Sequence, residues 1–374
     1  MKILIDASVC SIGGGVQVAL AVINNIAQDP TFDVICVTSP QVDMQLSPEI
    51  KAKITYYYPE VNENIFGKRK QGKRLSAIEE KYKPDLVFVI FGPAYWKPKS
   101  KSIQGFALGK MLYQQELAIG GLEKILYQIK KFYFKKSASY LLVETDLVKQ
   151  KLVAFLKYPS DKIFVIGNSY SPLFEKYIIN NQNNIEHKLE DFTILVPGSY
   201  YQHKNLERVI KALSIVKNNY PNVKALFTIP PDSEGWRKLT ALAQEYDVLN
   251  VIDTAGFVEN SEFARLYLES NAVICASLVE SSTAVFPETF LAKRPLLVSN
   301  RTFATELCEN AALYFDALEV ESIANAIMNL VSNKELQLQL IERGTEVLKK
   351  NYPSAEAKWL MQKSLIVKLI NERT

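Results

Sequence analysis

The sequence predicts an α/β protein built of two doubly wound, Rossmann-like domains in series. Three observations carry this. Short apolar runs rich in β-branched residues alternate with helical patterns along the chain, which is the signature of βαβ units and parallel sheets. The alternation breaks once, in a polar, Asn-rich stretch, and then restarts. A chain of 374 residues also exceeds the size at which a single hydrophobic core stops growing, so two domains are the default.

In order, KILIDA reads as the first strand and leads through a glycine loop to the helical stretch VQVALAVINNIAQ. DVICVT and DLVFVIFG are further strands. YLLVET leads into the amphipathic helix DLVKQKLVAFL, and IFVIGN closes the first domain at Asn168. Residues 1–168 are thus one domain. The stretch SYSPLFEKYIINNQNNIEHKLE falls in 169–190 and reads as the interdomain connection, because the strand–helix pattern stops there. The second domain, 191–352, restarts with TILVPGS and the helix NLERVIKALSIVKNN. Its further strands are KALFTI, NVIDTAGF, AVICAS and PLLVS, with helices over SEFARLYLES and VESIANAIMNLVSN. Residues 353–374 carry a last helix, AEAKWLMQKSLIVKLI. In such domains ligands bind beyond the carboxyl ends of the strands, so a cleft between two facing domains is the expected active site.

Composition narrows the function classes. Hydrophobic residues make up 48% and charged residues 22% of the chain, a globular balance rather than a disordered one. A net charge of +4 is too mild to imply nucleic acid. No apolar run approaches the roughly 20 residues needed to span a bilayer, and MKILIDAS lacks the form of a signal peptide, so a cytoplasmic protein is expected. Cys10, Cys36, Cys275 and Cys308 are scattered without CxxC spacing and read as buried free thiols. The two histidines, His187 and His203, stand apart and no Asp-x-Asp pair occurs, so no metal site is expected.

Three constellations can carry chemistry. Gly13, Gly14 and Gly15 lie between the first strand and its helix, where missing side chains allow close approach and the helix start offers amide donors to an anion. A dinucleotide fingerprint would need glycine at Val18. In PGSYYQHKNLERVIKAL, Gly198 and Ser199 end a strand and Lys204 precedes a helix, so its ammonium and the helix amides could address one phosphate. In ESSTAVFPE, Glu280 stands at the carboxyl end of a buried strand, followed by Ser281, Ser282, Thr283 and Ala284, with Glu288 on the next helix. Carboxylates accept from sugar or ribose hydroxyls, while helix-start amides and hydroxyls suit a diphosphate. Taken singly, each piece reads equally as a flexible turn, a solvated lysine, or a capping residue beside an exposed glutamate. All three, however, fall at strand-to-helix junctions.

Together they resemble the retaining GT-B glycosyltransferases of family 4, the glycosyl transferases group 1. The resemblance is carried by Gly13 to Gly15, KIFVIGN with Asn168, PGSYYQHKNLERVIKA, the Gly-Phe-Val of TAGFVENSEFARLY, and SLVESSTAVFPETFLAKRPLLVS followed by AALYFD. The glutamate pair is the family's E-x7-E element. The resemblance implies metal-independent transfer of a sugar from a nucleoside diphosphate sugar to an acceptor hydroxyl with retained configuration. It implies that Glu288 holds the donor ribose, Glu280 the transferred sugar, Lys204 the leaving diphosphate, with Ser199, Ser282 and the amides of Thr283 and Ala284 beside it. Gly13 to Gly15 would lie near the diphosphate and the acceptor. No cofactor is implied beyond the nucleotide sugar as co-substrate, whose base stays open, and the last helix is expected to pack back on the first domain with Trp359 as its anchor.

The chain departs from the family at three places. Ser199 stands where many relatives carry arginine, Glu280-Ser281-Ser282-Thr283 replaces E-G-F-G, and the segment SIQGFALGKM has no histidine where one is usual. A mechanism in which the leaving phosphate takes the acceptor proton needs no histidine.

Residues 95–136 carry nine lysines against two glutamates, with Tyr95, Trp96, Phe132, Tyr133 and Phe134 among them, and GKRKQGKR at 67–74 adds charge. GLEKILYQIKKFYFKK fits an interfacial amphipathic helix on an anionic membrane surface, and equally a solvated helix whose lysine stems cover the core edge. On the first reading the protein is peripheral at the inner face of the plasma membrane and the acceptor a glycan or lipid-linked glycan of bacterial surface polysaccharide. Nucleic acid is not an expected partner, since no RNA or DNA module is readable. Three other readings stay open: a nucleoside-diphosphate-sugar epimerase or hydrolase, a degenerate nucleotide-sugar-binding protein without catalysis, and, disfavoured by the failed fingerprint, a dinucleotide-dependent oxidoreductase.

Overall fold

KILIDA forms β1 (Lys2–Ala7), and its two faces are both buried: Ile3, Ile5 and Ala7 enter one core layer, while Leu4 enters the other. Alternation of side chains along a strand, with helices over both faces, makes a parallel sheet read as a continuous apolar run. The structure, a computed structural model, describes residues 1–11, 13–59, 67–114, 117, 119–181, 191–258 and 260–372, without the side chains of 67–69, 260 and 261.

The chain divides into two compact units. The first, Met1–Gln114, Ala118–Gly167 and Glu356–Thr374, holds a seven-stranded sheet of order β3-β2-β1-β4-β5-β6-β7. Its other strands are β2 (Asp33–Thr38), β3 (Tyr56–Pro59), β4 (Leu86–Val89), β5 (Lys101–Gly105), β6 (Tyr140–Val143) and β7 (Ile163–Val165). Every pairing is parallel. The second unit, almost wholly Asn168–Ala355, holds a six-stranded sheet of order β10-β9-β8-β11-β12-β13. Its strands are β8 (Phe192–Val196), β9 (Val223–Phe227), β10 (Ile252–Thr254), β11 (Ala272–Cys275), β12 (Leu296–Ser299) and β13 (Ala312–Phe315), again all parallel. In each sheet the strand order reverses beside its first strand, between β1 and β4 and between β8 and β11. Those reversals are where a doubly wound sheet opens a crevice at its carboxyl edge.

A helix and a strand stand out among the differences from the sequence reading. Part of the expected connection, Pro172–Asn181, is a helix whose Phe174 and Ile178 are buried and which packs against the helix Asn260–Glu269, so the second unit begins at Asn168. The rest of that connection, 182–190, lies outside the described residues. Strand β5, KSIQG, carries a fully buried Gln104. Its amide is satisfied by neighbours distant in sequence, accepting from the Ala94 amide at 3.0 Å and donating to Ser137 Oγ at 3.0 Å, which is how a polar residue survives in a core.

The last helix, Ala355–Asn371, packs on the first domain. Trp359 is buried and meets the Phe32 ring edge-on at 6.4 Å, and Ile366 and Leu369 join the layer of Ile3, Ile5 and Ala7. Lys363 pairs with Asp29 at 2.7 Å, and Lys101 donates to the carbonyl of Leu369 at 3.2 Å, a cation at the helix's carboxyl end where the dipole favours it.

One glycine sets how closely helices approach in the second domain. A Cβ at Gly344, in the helix Lys334–Asn351, would stand 2.8 Å from Phe290 Cδ1, and Phe290 belongs to the helix Val285–Leu291 that also bears Glu288. Gly344→Ala is therefore expected to push that helix outward and cost about 1 to 3 kcal/mol by overpacking. Thermal unfolding should show the loss, and an unchanged melting temperature would mean the contact relaxes freely.

Candidate functional site

The reversal between β8 and β11 sends two loops to the same edge, and the sequence-predicted lysine and first glutamate lie one on each. Lys204 ends the short turn Gln202–Lys204 after β8, and Glu280 follows β11. Lys204 Nζ meets Glu280 Oε1 at 2.6 Å, with both side chains largely covered. Ser277 Oγ donates to the same Glu280 oxygen at 2.7 Å, and the Leu278 amide donates to the carbonyl of His203 at 2.7 Å. The two loops are thus stitched by backbone as well as by charge. Burial works against the Lys204 ammonium, but the Glu280 carboxylate beside it outweighs that and holds its pKa above the ordinary lysine value.

The backbone around Lys204 is shaped for it. Gly198 has φ +118, and a Cβ there would lie 3.8 Å from Lys204 Cε, so the glycine is set by conformation rather than by crowding. Asn205, next to Lys204, is left-handed at φ 59 and buried. Its side chain does not cap the following helix but donates to the Ala317 carbonyl at 2.7 Å and accepts from Arg208 at 2.7 Å. Asn tolerates that conformation better than most residues. Ser199 is exposed on the same loop. His203 stacks on Tyr201 with ring centroids 5.5 Å apart.

The glutamate segment divides in two. Thr283 is buried and its Oγ1 accepts from the Val285 amide at 3.3 Å, fixing the turn into the helix Val285–Leu291, while Ala284 occupies the capping position. The Ser282 hydroxyl oxygen is buried without a hydrogen-bond partner among the described residues. Glu288 lies on the next helix as expected, but it is buried rather than exposed there, and its Oε2 accepts from Tyr267 Oη at 2.9 Å. Removal from water pushes the Glu288 carboxyl up to about 8, against the opposing pull of the tyrosine. Glu280 and Lys204 are brought together; Glu288 is engaged by Tyr267.

Sequence reasoning missed Tyr267, which reads as an apolar position of SEFARLYLES. It is fully buried, and it is aligned by rings on either side, Phe174 at 5.2 Å and Phe263 at 5.5 Å. It also missed Arg294, whose Nε and Nη2 donate to the carbonyls of Tyr267 and Leu268 at 3.1 and 2.7 Å. Arg294 closes the helix that presents Tyr267, and burial lowers its pKa to about 10. In the first domain, Gly13 opens the helix Gly14–Gln28 with φ 50 and ψ −130, which a side chain would oppose. A Cβ at Gly14 would meet nothing, and one at Gly15 would touch Phe91 at 3.7 Å.

Residues 177–347 match the model of the glycosyl transferases group 1, a segment that contains Lys204, Glu280 and Glu288. Over 230 residues the chain is 22% identical to the O-antigen chain mannosyltransferase RfbU of Salmonella typhimurium, covering 59% of this chain and 62% of that protein. The chain thus matches less than two thirds of that relative's length. Among solved structures it is similar to WaaG, a glycosyltransferase involved in lipopolysaccharide biosynthesis, with TM-score 0.74, 14% identity, and 98% and 99% of the two chains covered. It is also similar to HepE of Anabaena in complex with UDP and glucose, with TM-score 0.72, 12% identity, and 98% and 100% covered. The fold is that of the GT-B glycosyltransferases, two Rossmann-like domains with parallel sheets.

Proposed function

We propose that this chain, whose second domain carries the glycosyl transferases group 1 pattern, is a retaining, metal-independent glycosyltransferase that moves a hexosyl group from a nucleoside diphosphate sugar to a hydroxyl of a glycan or lipid-linked glycan. The observation that carries the proposal is the Lys204–Glu280 pair, 2.6 Å long, which joins the loops after β8 and β11 inside the segment that matches the family. A cation held at the crevice of a doubly wound sheet suits a leaving diphosphate, and a carboxylate beside it suits the hydroxyls of the departing sugar.

In the proposed reaction the bond between the anomeric carbon and the diphosphate oxygen breaks, and the acceptor oxygen bonds to that carbon on the same face. The acceptor proton passes to the departing phosphate. Lys204 offsets the charge that builds on the diphosphate, helped by Ser282 and the amides of Thr283 and Ala284, with Ser199 at the rim. Glu280 orients the sugar, and Glu288 accepts from the ribose hydroxyls. Gly13 to Gly15, without side chains, would leave room for the diphosphate or the acceptor at the start of their helix.

HepE was solved with UDP and glucose, so a UDP-sugar is the first donor to test. The protein is expected to melt at a higher temperature with one of UDP, GDP, ADP or CMP and not with NAD. A shift with NAD alone would favour an oxidoreductase. A shift without any later transfer to an extract of lipid-linked acceptors would favour a binding protein, and sugar loss or epimerisation without acceptor would favour the hydrolase or epimerase reading.

A further inference from the structure

The helix Gly121–Ser137 presents its apolar residues to water. Tyr127, Phe134 and Ser137 form its buried side. On the opposite side Leu122, Ile125, Leu126, Ile129 and Phe132 are 82, 58, 55, 45 and 58% exposed. Their spacing of three and four residues places them on one stripe. A helix lying on a globular domain normally turns its charged face outward, so an outward stripe of five large apolar side chains marks a surface that something covers.

The charges beside the stripe indicate what that is. Lys124, Lys131 and Lys135 follow one another at sevenfold and fourfold spacing along its flank, and Lys136 sits 5.5 Å over the Phe132 ring near the carboxyl end. The single acidic residue of the helix, Glu123, accepts a hydrogen bond from the Tyr127 hydroxyl. Of the aromatic residues that the sequence sets in this region, Trp96 and Phe134 are buried in the domain core and only Phe132 belongs to the outward stripe. The docking element is therefore this helix alone, not the whole basic stretch.

We infer that the helix Gly121–Ser137 docks the protein on an anionic lipid surface, lying in the plane of the interface with Leu122, Ile125, Leu126, Ile129 and Phe132 among the acyl chains and the lysine row on the headgroups. A stripe of this kind enters roughly 5 to 10 Å into the boundary region. A second copy fits poorly, because a two-fold interface sets the same patch against itself and would bring the lysine rows together. The inference rests on the proposed function only for its purpose, delivery of the site to a lipid-linked acceptor; binding itself needs no turnover.

The test is sedimentation of the full chain with vesicles of phosphatidylcholine alone or mixed equally with phosphatidylglycerol, without nucleotide or acceptor. Binding to the anionic vesicles is expected, at least about tenfold weaker to the neutral ones and weakened by salt. Ile125→Glu with Leu126→Glu should abolish it. Lys124→Ala, Lys131→Ala and Lys135→Ala together should weaken it about a hundredfold, at about fivefold for each lysine near the surface. Both variants alter exposed or surface-edge side chains, so the melting temperature and any nucleotide-induced shift should be kept, which separates this inference from the transferase reading. A protein that stays in the supernatant with both vesicles overturns the inference. So does vesicle binding unchanged in both variants, and so does a solution dimer that Leu126→Glu converts to monomer.

Discussion

Lys204→Ala is expected to lower turnover by about a hundredfold to a thousandfold, the size of effect seen when one preorganised group is removed from a developing charge. The same change should lower the stability of the second domain by about 3 to 5 kcal/mol, because Glu280 would be left in a largely covered position without its partner 2.6 Å away. The two consequences can be separated. Adding Glu280→Gln to Lys204→Ala removes the stranded carboxyl, so thermal stability should recover while turnover stays low. Recovery of both would reduce Lys204 to a structural role, and full turnover in the single variant would remove it from the leaving-group position altogether.

The second large effect concerns Glu288. Its carboxyl has a pKa of about 8 in the folded protein against 4.5 when exposed, because burial disfavours its charge. The folded state therefore holds the proton more tightly than the unfolded one. The stabilisation linked to this group is complete below pH 4.5, is lost as pH rises from there to about 8, and does not change further above it. Glu288→Gln keeps an acceptor for Tyr267 and carries no charge. Its stability relative to the parent should rise steadily between pH 5 and pH 8, at roughly 1.4 kcal/mol per pH unit at most. Chemical denaturation at several pH values reads this directly, and a difference that does not vary with pH would show that Glu288 titrates normally. Nucleotide binding should move the other way. The variant should lose about 1 to 3 kcal/mol of affinity for the nucleotide through poorer pairing of the ribose hydroxyls, and the parent's affinity should increase from pH 6 to pH 8 as the carboxylate forms. A residue that weakens the free protein where it serves the ligand is an ordinary feature of binding sites.

The sequence carries the sheets well where strands are buried on both faces, since KILIDA, DVICVT and AVICAS need no partner to be recognised as apolar runs. It fails where burial is satisfied by tertiary neighbours. Gln104 makes β5 look polar, and only Ala94 and Ser137 explain why it can be buried. β3, YYYP, lies at the sheet edge with tyrosines partly in water and offers no alternation to read. In the expected connection, Phe174 and Ile178 at helical spacing were the available signal, masked by the asparagines that follow. For the site, Lys204 and Glu280 are legible because each stands between a strand and the helix that follows it. That they pair is not, since they are 76 positions apart and only the β8–β11 adjacency joins them. Tyr267 and Arg294 are invisible for the same reason: their roles lie in what they touch. The helix Gly121–Ser137 is plain from periodicity, but two amphipathic faces compete and only packing reveals which one meets water.

The closing helix Ala355–Asn371 has a consequence for how the protein is made. Its Trp359, Ile366 and Leu369 complete the core layer over β1, yet they leave the ribosome only after the whole of 168–355 has been synthesised. At cellular rates of elongation that is a delay of roughly 10 to 40 s. During it the first domain holds an uncovered apolar layer, while the second, almost continuous in sequence, can already close. The usual order of folding along a nascent chain is thereby inverted: the domain begun first is the one finished last.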